Sequence, residues 1–218
     1  MRNIALADVV TLARGDERLG PLWVSRSKIT AGLAAEVFNA AGIGETQAGA
    51  YRYVNIFNPD APLARDLVGG LRCAPGRDTH PVTAINWRGA CLLAMLLGGR
   101  LPTRAEWASY AAPAISLLET SPLDYVACAN VAQSRGDTTP VDDYPAIGGL
   151  LDPLGNVCEW TLDRYCGASG VAWGERCVAG VAWSTPRTLL GSRMYRGKWE
   201  RIGTRSIGAR VVGEKKSA

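Results

Sequence analysis

The sequence predicts a single α+β domain with few helices, short strands and much loop. Helix signals are confined to a few stretches in the first half of the chain. Short β-like runs rich in Gly and Trp fill residues 149–213. No internal repeat, linker or break in composition divides the 218 residues. One domain over residues 1–218, with its core at about 20–212, is therefore the simplest organisation.

The first half opens with a strand and a helix. Residues 21–29 alternate well enough to be a strand. Thr30 is a suitable N-cap for a helix that stops at Gly42. Residues 43–79 show little periodicity and many Gly and Pro, which predicts a long loop, with 51–60 as a short extended piece.

Two further helices are predicted from their capping residues. Asn86 is a plausible N-cap for a second helix, which Gly98-Gly99 ends. Thr103 and Glu106 form a T-x-x-E capping box that starts a third. From Pro113 to Pro145 the pattern predicts loop with short extended pieces.

Composition and charge exclude several classes of protein. Hydrophobic residues make up 47% and charged residues 20%, as in ordinary globular proteins. The net charge is only +4 and the basic residues are scattered, so we expect no nucleic-acid partner. No apolar run is long enough to span a membrane. The first twenty residues match a signal peptide poorly, so we expect a cytoplasmic protein with mostly reduced cysteines.

The stretch GLLDPLGNVCEWTLDRY, residues 149–165, carries the clearest candidate metal site. Asp152 and Glu159 supply carboxylates seven positions apart, and the turn between them offers backbone carbonyls. Oxygen ligands of this kind suit Ca²⁺. Gly155 suits a turn that bends its carbonyls inward. The alternative is a polar turn followed by an edge strand.

Three segments resemble the family of the formylglycine-generating enzyme, or sulfatase-modifying factor. They are HPVTAINWRGACLLAMLLGGRLPTRAEWASYA, ANVAQSRGDTTPVDDYPAIGGLLDPLGNVCEWTLDRY and GTRSIGARVV. The resemblance implies a C-type-lectin-like fold with few helices, short twisted antiparallel strands and much ordered loop. It also implies a structural calcium ion, held by the Asp152 and Glu159 side chains and the Gly155 and Val157 carbonyls.

The resemblance also implies a second, weaker calcium site, whereas the copper-binding catalytic site of the family is missing from this sequence. The weaker site would use Asn130 and the Val131 carbonyl, with Asp137 as a loose candidate for a third ligand. The enzyme's copper-binding cysteine pair matches Thr185 and Leu190, which offer no thiolate. We therefore expect no copper, and the single histidine leaves no cluster for iron.

Cys158 stands where the family usually has the first Trp of a W-E-W motif. It is the weak candidate for a catalytic group, as a redox or nucleophilic thiol. The alternative, that it fills the space of the missing Trp, is favoured because no base is placed nearby in the sequence. His80 is interpreted as a structural histidine.

The segment 183–201 is predicted to line a groove for a peptide or small molecule. Arginines there can bind a carboxylate or phosphate through charge-assisted hydrogen bonds, and aromatic residues often anchor ligands. The predicted ligand-binding residues are Trp183, Thr185, Arg187, Arg193, Tyr195, Arg196 and Trp199.

The leading functional prediction is an accessory or ligand-binding protein of this family that has lost the copper oxidase site, a pseudoenzyme. One alternative is a tailoring enzyme in specialised metabolism that oxidises or rearranges a peptide or siderophore-like substrate. Another is a C-type-lectin-like recognition protein with a diversified surface. Function depends on the site rather than on the fold, so the sequence leaves all three open.

Overall fold

The computed structural model of the chain describes residues 9–12, 22–67, 69–167, 170–192 and 194–214. The helices are α1 (Ala31–Ala40), α2 (Gln47–Tyr51), α3 (Trp87–Leu96), α4 (Arg104–Thr120) and α5 (Pro122–Ala127). The strands are β1 (Val9–Leu12), β2 (Leu22–Ser25), β3 (Leu63–Arg65), β4 (Leu71–Cys73), β5 (Cys158–Gly167), β6 (Gly170–Ala179), β7 (Tyr195–Trp199), β8 (Ile207–Gly208) and β9 (Val212–Glu214). None of the described helices is long and apolar enough to cross a membrane.

The strands form three small sheets. Their orders are β1-β2-β9, β3-β4 and β7-β6-β5-β8. β5 and β6 form the long central hairpin, in which Glu159 lies opposite Ala179. β8 pairs with β5 in parallel, so β5 is an interior strand. The alternative of a polar turn followed by an edge strand is therefore wrong about the strand.

The first sheet joins the two ends of the chain, because β2 pairs with β9 across nearly the whole sequence. The segment after β2 then bridges to Pro81 at Thr30. These two connections bring residues 26–30 beside the central hairpin, where the candidate site is built.

The predicted capping residues are confirmed. The side chains of Thr30, Asn86 and Thr103 accept hydrogen bonds from the first turns of α1, α3 and α4. Glu106 completes the capping box by bonding back to the Thr103 amide.

The prediction of loop from Pro113 onwards is wrong, because α4 continues through Pro113 to Thr120 and α5 follows it. A proline inside a helix removes one backbone hydrogen bond. The apolar stripe of Trp107, Tyr110, Ala111, Ala114 and Leu118 is buried on one face of α4 and outweighs that loss. The extended piece predicted at 51–60 is also replaced, by the end of α2 and a series of turns.

Candidate functional site

The acidic turn, residues 152–159, is held in an unusual backbone conformation. Asp152 and Asn156 have φ of 48° and 58°, and Gly155 has φ of 111°. The two side chains lock the turn together, because Asn156 Nδ2 donates to Asp152 Oδ2 at 2.7 Å and to the Thr139 carbonyl at 2.9 Å. The turn is buried, with Asp152 3% exposed and Asn156 and Glu159 almost fully enclosed. The predicted Asp152 and Glu159 are therefore brought to one buried site.

Lys28 enters this site from the segment between β2 and α1. Its Nζ donates to the carbonyls of Asp152 and Gly155, the latter at 3.1 Å, and lies 3.3 Å from Glu159 Oε1. All three partners only accept hydrogen bonds, so the three N–H groups of an ammonium match them. Burial lowers the pKa of Lys28, and the neighbouring Glu159 carboxylate opposes that shift.

Arg210 and Tyr110 complete the surroundings of Glu159. Arg210 Nε donates to Glu159 Oε1 at 3.2 Å, and the Tyr110 hydroxyl donates to Glu159 Oε2. Burial, and then the Glu159 charge, raise the pKa of Tyr110 well above its usual value. Both carboxylate oxygens of Glu159 are therefore already engaged by protein donors.

The residues that resemblance assigns to calcium do not fit the ion as they are arranged here. Ca²⁺ requires six to eight oxygens in direct contact. The Gly155 carbonyl instead accepts from Lys28, and Glu159 accepts from three side chains. Asp152 Oδ1 is the exception, because it is buried and has no hydrogen-bond partner in the part of the chain that the structure describes. In the described part of the chain, no three His, Cys, Asp or Glu side chains cluster as metal ligands.

The weaker site at Asn130 is built into a hydrogen-bond network. Asn130 Nδ2 donates to the Asp137 carbonyl at 2.9 Å, and the Val131 carbonyl accepts from Ser134. The Asp137 carboxylate pairs with Arg77 at 2.7 Å, while Asn130 Oδ1 is buried and finds no hydrogen-bond partner within the described ranges. Asp137 is therefore committed to Arg77, and calcium at Asn130 remains a prediction.

Cys158 is fully buried in the core beside an arginine. Arg196 Nη2 lies 2.6 Å from Cys158 Sγ, and Arg196 Nη1 donates to the Gly180 carbonyl at 3.3 Å. Burial raises the pKa of the Cys158 thiol, and the Arg196 charge opposes that rise. The geometry suits a packing role, since reactive thiols need a lowered pKa and access.

The predicted ligand-binding residues that the structure describes make separate contacts, and a groove that they share remains a prediction. Trp183 lies against Arg205, and Thr185 Oγ1 accepts from the Ala182 amide within a turn. Tyr195 packs edge-on to Trp107 with ring centroids 5.6 Å apart. Trp199 is 56% exposed on β7. Arg193 lies outside the described residues.

Arg187 and Leu190 line a small cavity of about 220 Å³ together with the end of α4 and the start of α5. Leu190 is the position that resemblance assigns to the second copper-binding cysteine, and here it presents an alkyl side chain. A larger cavity of about 460 Å³ lies beside Tyr195, Arg104 and Cys166.

Another cavity has a volume of about 540 Å³, and we call it the arginine cavity. Its lining comprises three arginines, two asparagines, an aromatic, an aliphatic and a glycine: Arg52, Arg88, Arg201, Asn55, Asn86, Tyr51, Ile202 and Gly203. Among the residues that the structure describes, no acidic side chain is part of this lining. Its volume lies within the range of ligand pockets, about 300–1,000 Å³.

Three chain segments meet to form the arginine cavity. Asn86, the N-cap of α3, donates to the Arg52 carbonyl at 2.8 Å and so ties the end of α2 to the start of α3. The Trp87 amide donates to the Glu200 carbonyl at 3.1 Å and adds the loop after β7. Gly203 is required there, because a Cβ would lie 2.2 Å from the Ala84 carbonyl oxygen.

Two of the three arginines have no acidic partner. Arg88 pairs with Glu200 at 2.9 Å. Arg52 and Arg201 form no ion pair with any part of the chain that the structure describes, and Arg52 lies only loosely over the Tyr53 ring. Tyr51 is 55% exposed and packs on the exposed Phe57, with centroids 5.1 Å apart. The cavity thus combines free guanidinium groups with an apolar rim.

Comparison with known proteins places this fold and chain in a family. The family model described as "Sulfatase-modifying factor enzyme 1-like domain" matches residues 12–215, so the chain belongs to that family. A formylglycine-generating enzyme of Mycobacterium tuberculosis is 36% identical over 106 residues, covering 41% of this chain and 35% of that protein. A Chlamydia caviae protein named serine/threonine-protein kinase pkn1 is 39% identical over 98 residues, covering 44% of this chain but only 16% of its own length.

The solved structures confirm the fold predicted from the resemblance. PvdO from Pseudomonas aeruginosa superposes with a TM-score of 0.61 at 20% identity, covering 95% of this chain and 91% of that one. The α+β, C-type-lectin-like architecture of this family is therefore shown.

Sequence reasoning missed Lys28, Tyr110 and Arg210 at the acidic turn, and Arg52 and Arg88 at the arginine cavity. One signal was available for Arg210, a lone charge in the apolar run IGARVV, because charged residues are rarely buried without a partner. Nothing local marks the others, since their partners lie far away in the sequence.

Proposed function

We propose that this chain is a ligand-binding member of the sulfatase-modifying factor family that does not generate formylglycine. It binds a peptide or small molecule that carries a carboxylate next to an apolar or aromatic group. The observation that carries this proposal is the arginine cavity, where Arg52 and Arg201 present guanidinium groups without acidic partners among the described residues. Thr185 and Leu190, at the positions of the family's cysteine pair, support the absence of copper chemistry.

The chemistry of the cavity favours an anionic ligand group. A guanidinium presents a planar set of donors that matches a carboxylate, and such charge-assisted bonds are stronger than neutral ones. Arg88 adds a third positive charge, which Glu200 neutralises only in part because Glu200 also pairs with Arg176 at 3.2 Å. A carboxylate between these groups gains favourable charge interactions and meets no acidic neighbour in the lining.

The rim of the cavity favours an apolar portion beside the carboxylate. Tyr51 and Ile202 are 55% and 50% exposed, and Phe57 is 61% exposed next to Tyr51. Exposed apolar side chains clustered at one place mark interaction sites more often than isolated ones do. Aromatic and arginine residues are also the commonest anchors in binding sites.

A matched pair of probes tests the proposal. N-acetyl-phenylalanine carries the aromatic group and the carboxylate, and its amide lacks only the charge. We expect binding of the acid, measured by calorimetry or NMR shifts, to exceed that of the amide. The double variant Arg52→Gln/Arg201→Gln should lose this preference. Arg72→Gln, at an exposed arginine of β4 that does not line the cavity, is the control and should keep it.

Two results would contradict the proposal. Equal binding of acid and amide would show that the guanidinium groups do not select a charge. A preference that persists in the double variant would place the anion site elsewhere. Phenyl phosphate serves as a further arm, and tighter binding of it than of the acid would replace the carboxylate by a phosphate.

A further inference from the structure

We propose that the Lys28 ammonium is the built-in cation of the acidic turn, standing where the family resemblance puts a calcium ion, so that this chain folds without a divalent cation. The ammonium contacts the Gly155 carbonyl and Glu159 Oε1, which belong to the implied calcium ligands. It contacts Asp152 through the backbone carbonyl rather than the carboxylate.

The charges of the buried cluster balance with Lys28 in place. With all four groups ionised, Lys28 and Arg210 contribute two positive charges, and Asp152 and Glu159 contribute two negative ones. The side chains of Lys28, Arg210 and Glu159 are 1%, 0% and 2% exposed, so water screens none of them. A divalent ion added to this set would leave two uncompensated positive charges in the interior, which is strongly unfavourable.

The tether of the ammonium distinguishes it from a bound ion. Lys28 lies 124 residues before Asp152 and is fixed between β2 and α1. A diffusible ion stabilises a fold only according to its concentration, whereas a covalently attached ammonium is present at every concentration. The same contact also joins the first sheet to the central hairpin.

One oxygen still lacks a donor. Asp152 Oδ1 is buried without a hydrogen-bond partner. If the ammonium is removed, Glu159 Oε1 and the Asp152 and Gly155 carbonyls lose the donor that they share, on the same turn as the unpartnered Asp152 Oδ1. Lys28→Ala should therefore convert the turn into one that responds to calcium.

Thermal unfolding in calcium and in chelator tests the proposal. The wild-type protein should have the same Tm in both. Lys28→Ala should have a Tm lower by on the order of 10 °C in chelator. Calcium should raise the Tm of this variant, and magnesium, which demands a smaller octahedral site, should raise it less. Adding Asp152→Ala to Lys28→Ala should abolish the rise in Tm with calcium. Lys198→Ala, at a lysine of β7, is the control variant and should have the same Tm in calcium and in chelator.

The proposal is overturned if chelator lowers the wild-type Tm or if elemental analysis of the purified protein finds stoichiometric calcium. It is also overturned if Lys28→Ala folds and shows no response to calcium. Should Lys28→Ala fail to fold, Lys28→Met keeps the buried stem and removes only the charge. A Tm for Lys28→Met equal to that of wild type would overturn the proposal, and a lower Tm would support it.

Discussion

Replacing Arg210 with Met is expected to be among the most damaging single changes in this chain. The Arg210 side chain is fully buried. Its guanidinium donates to Glu159 and to four backbone carbonyls, those of Ser25, Arg26, Leu151 and Asp152, at 2.8–3.2 Å. All five N–H donors of an arginine are therefore used.

The magnitude follows from the groups that the substitution leaves behind. Removing one partner of a buried ion pair costs about 3–5 kcal/mol, because the remaining charge and carbonyls lose their donors. For a domain of this size each kcal/mol lowers Tm by roughly 2–4 °C. The expected fall for Arg210→Met is therefore about 6–20 °C. Arg210→Lys keeps the charge but offers three donors to five acceptors, so it should be intermediate.

Denaturant and thermal unfolding of wild type, Arg210→Met and Arg210→Lys measure this loss of stability. The matched control is Arg88→Met, which breaks the pair with Glu200 at a side chain that is 44% exposed. Exposed pairs contribute only about 0–1 kcal/mol. A loss for Arg210→Met no larger than that for Arg88→Met would refute the view that this buried network holds the first sheet to the acidic turn.

Three further predictions concern other parts of the chain. Burial favours a higher pKa for Glu106, but hydrogen bonds from Arg100 and the Thr103 amide outweigh burial and hold this pKa below 4.5. The ionised Glu106 should thus stabilise the fold fully above about pH 4.5, and this stabilisation should be lost as the pH falls through the lower folded pKa. The free energies of unfolding in urea should therefore differ between wild type and Glu106→Gln at pH 7 and become equal in acid. Gly203→Ala should destabilise the chain by about 1–3 kcal/mol in the same assay, because the new Cβ meets the Ala84 carbonyl; an unchanged midpoint would show that this approach is not tight. A thiol reagent should modify the exposed Cys166 rapidly and the buried Cys158 only on unfolding; rapid labelling of Cys158 in the folded protein, located by peptide mass spectrometry, would contradict the burial pattern.

Local signals explain what sequence reasoning predicted well. Capping is an interaction between residues three positions apart, so the helix starts at Thr30, Asn86 and Thr103 could be read directly. The helix beyond Pro113 was missed because a proline is a strong local break signal. The stripe of apolar side chains that overrides it gains its energy from packing against distant residues.

The amino-acid sequence by itself determined the family, the α+β class and the placement of Asp152 and Glu159 around one turn, since these depend on short motifs and their order. Only the tertiary structure decided what surrounds that turn and where a ligand has room. Arg210 reaches Ser25 across 185 residues and Lys28 reaches Asp152 across 124. A buried charge is stable only beside its partner, and no short stretch of sequence shows which distant residue that partner will be.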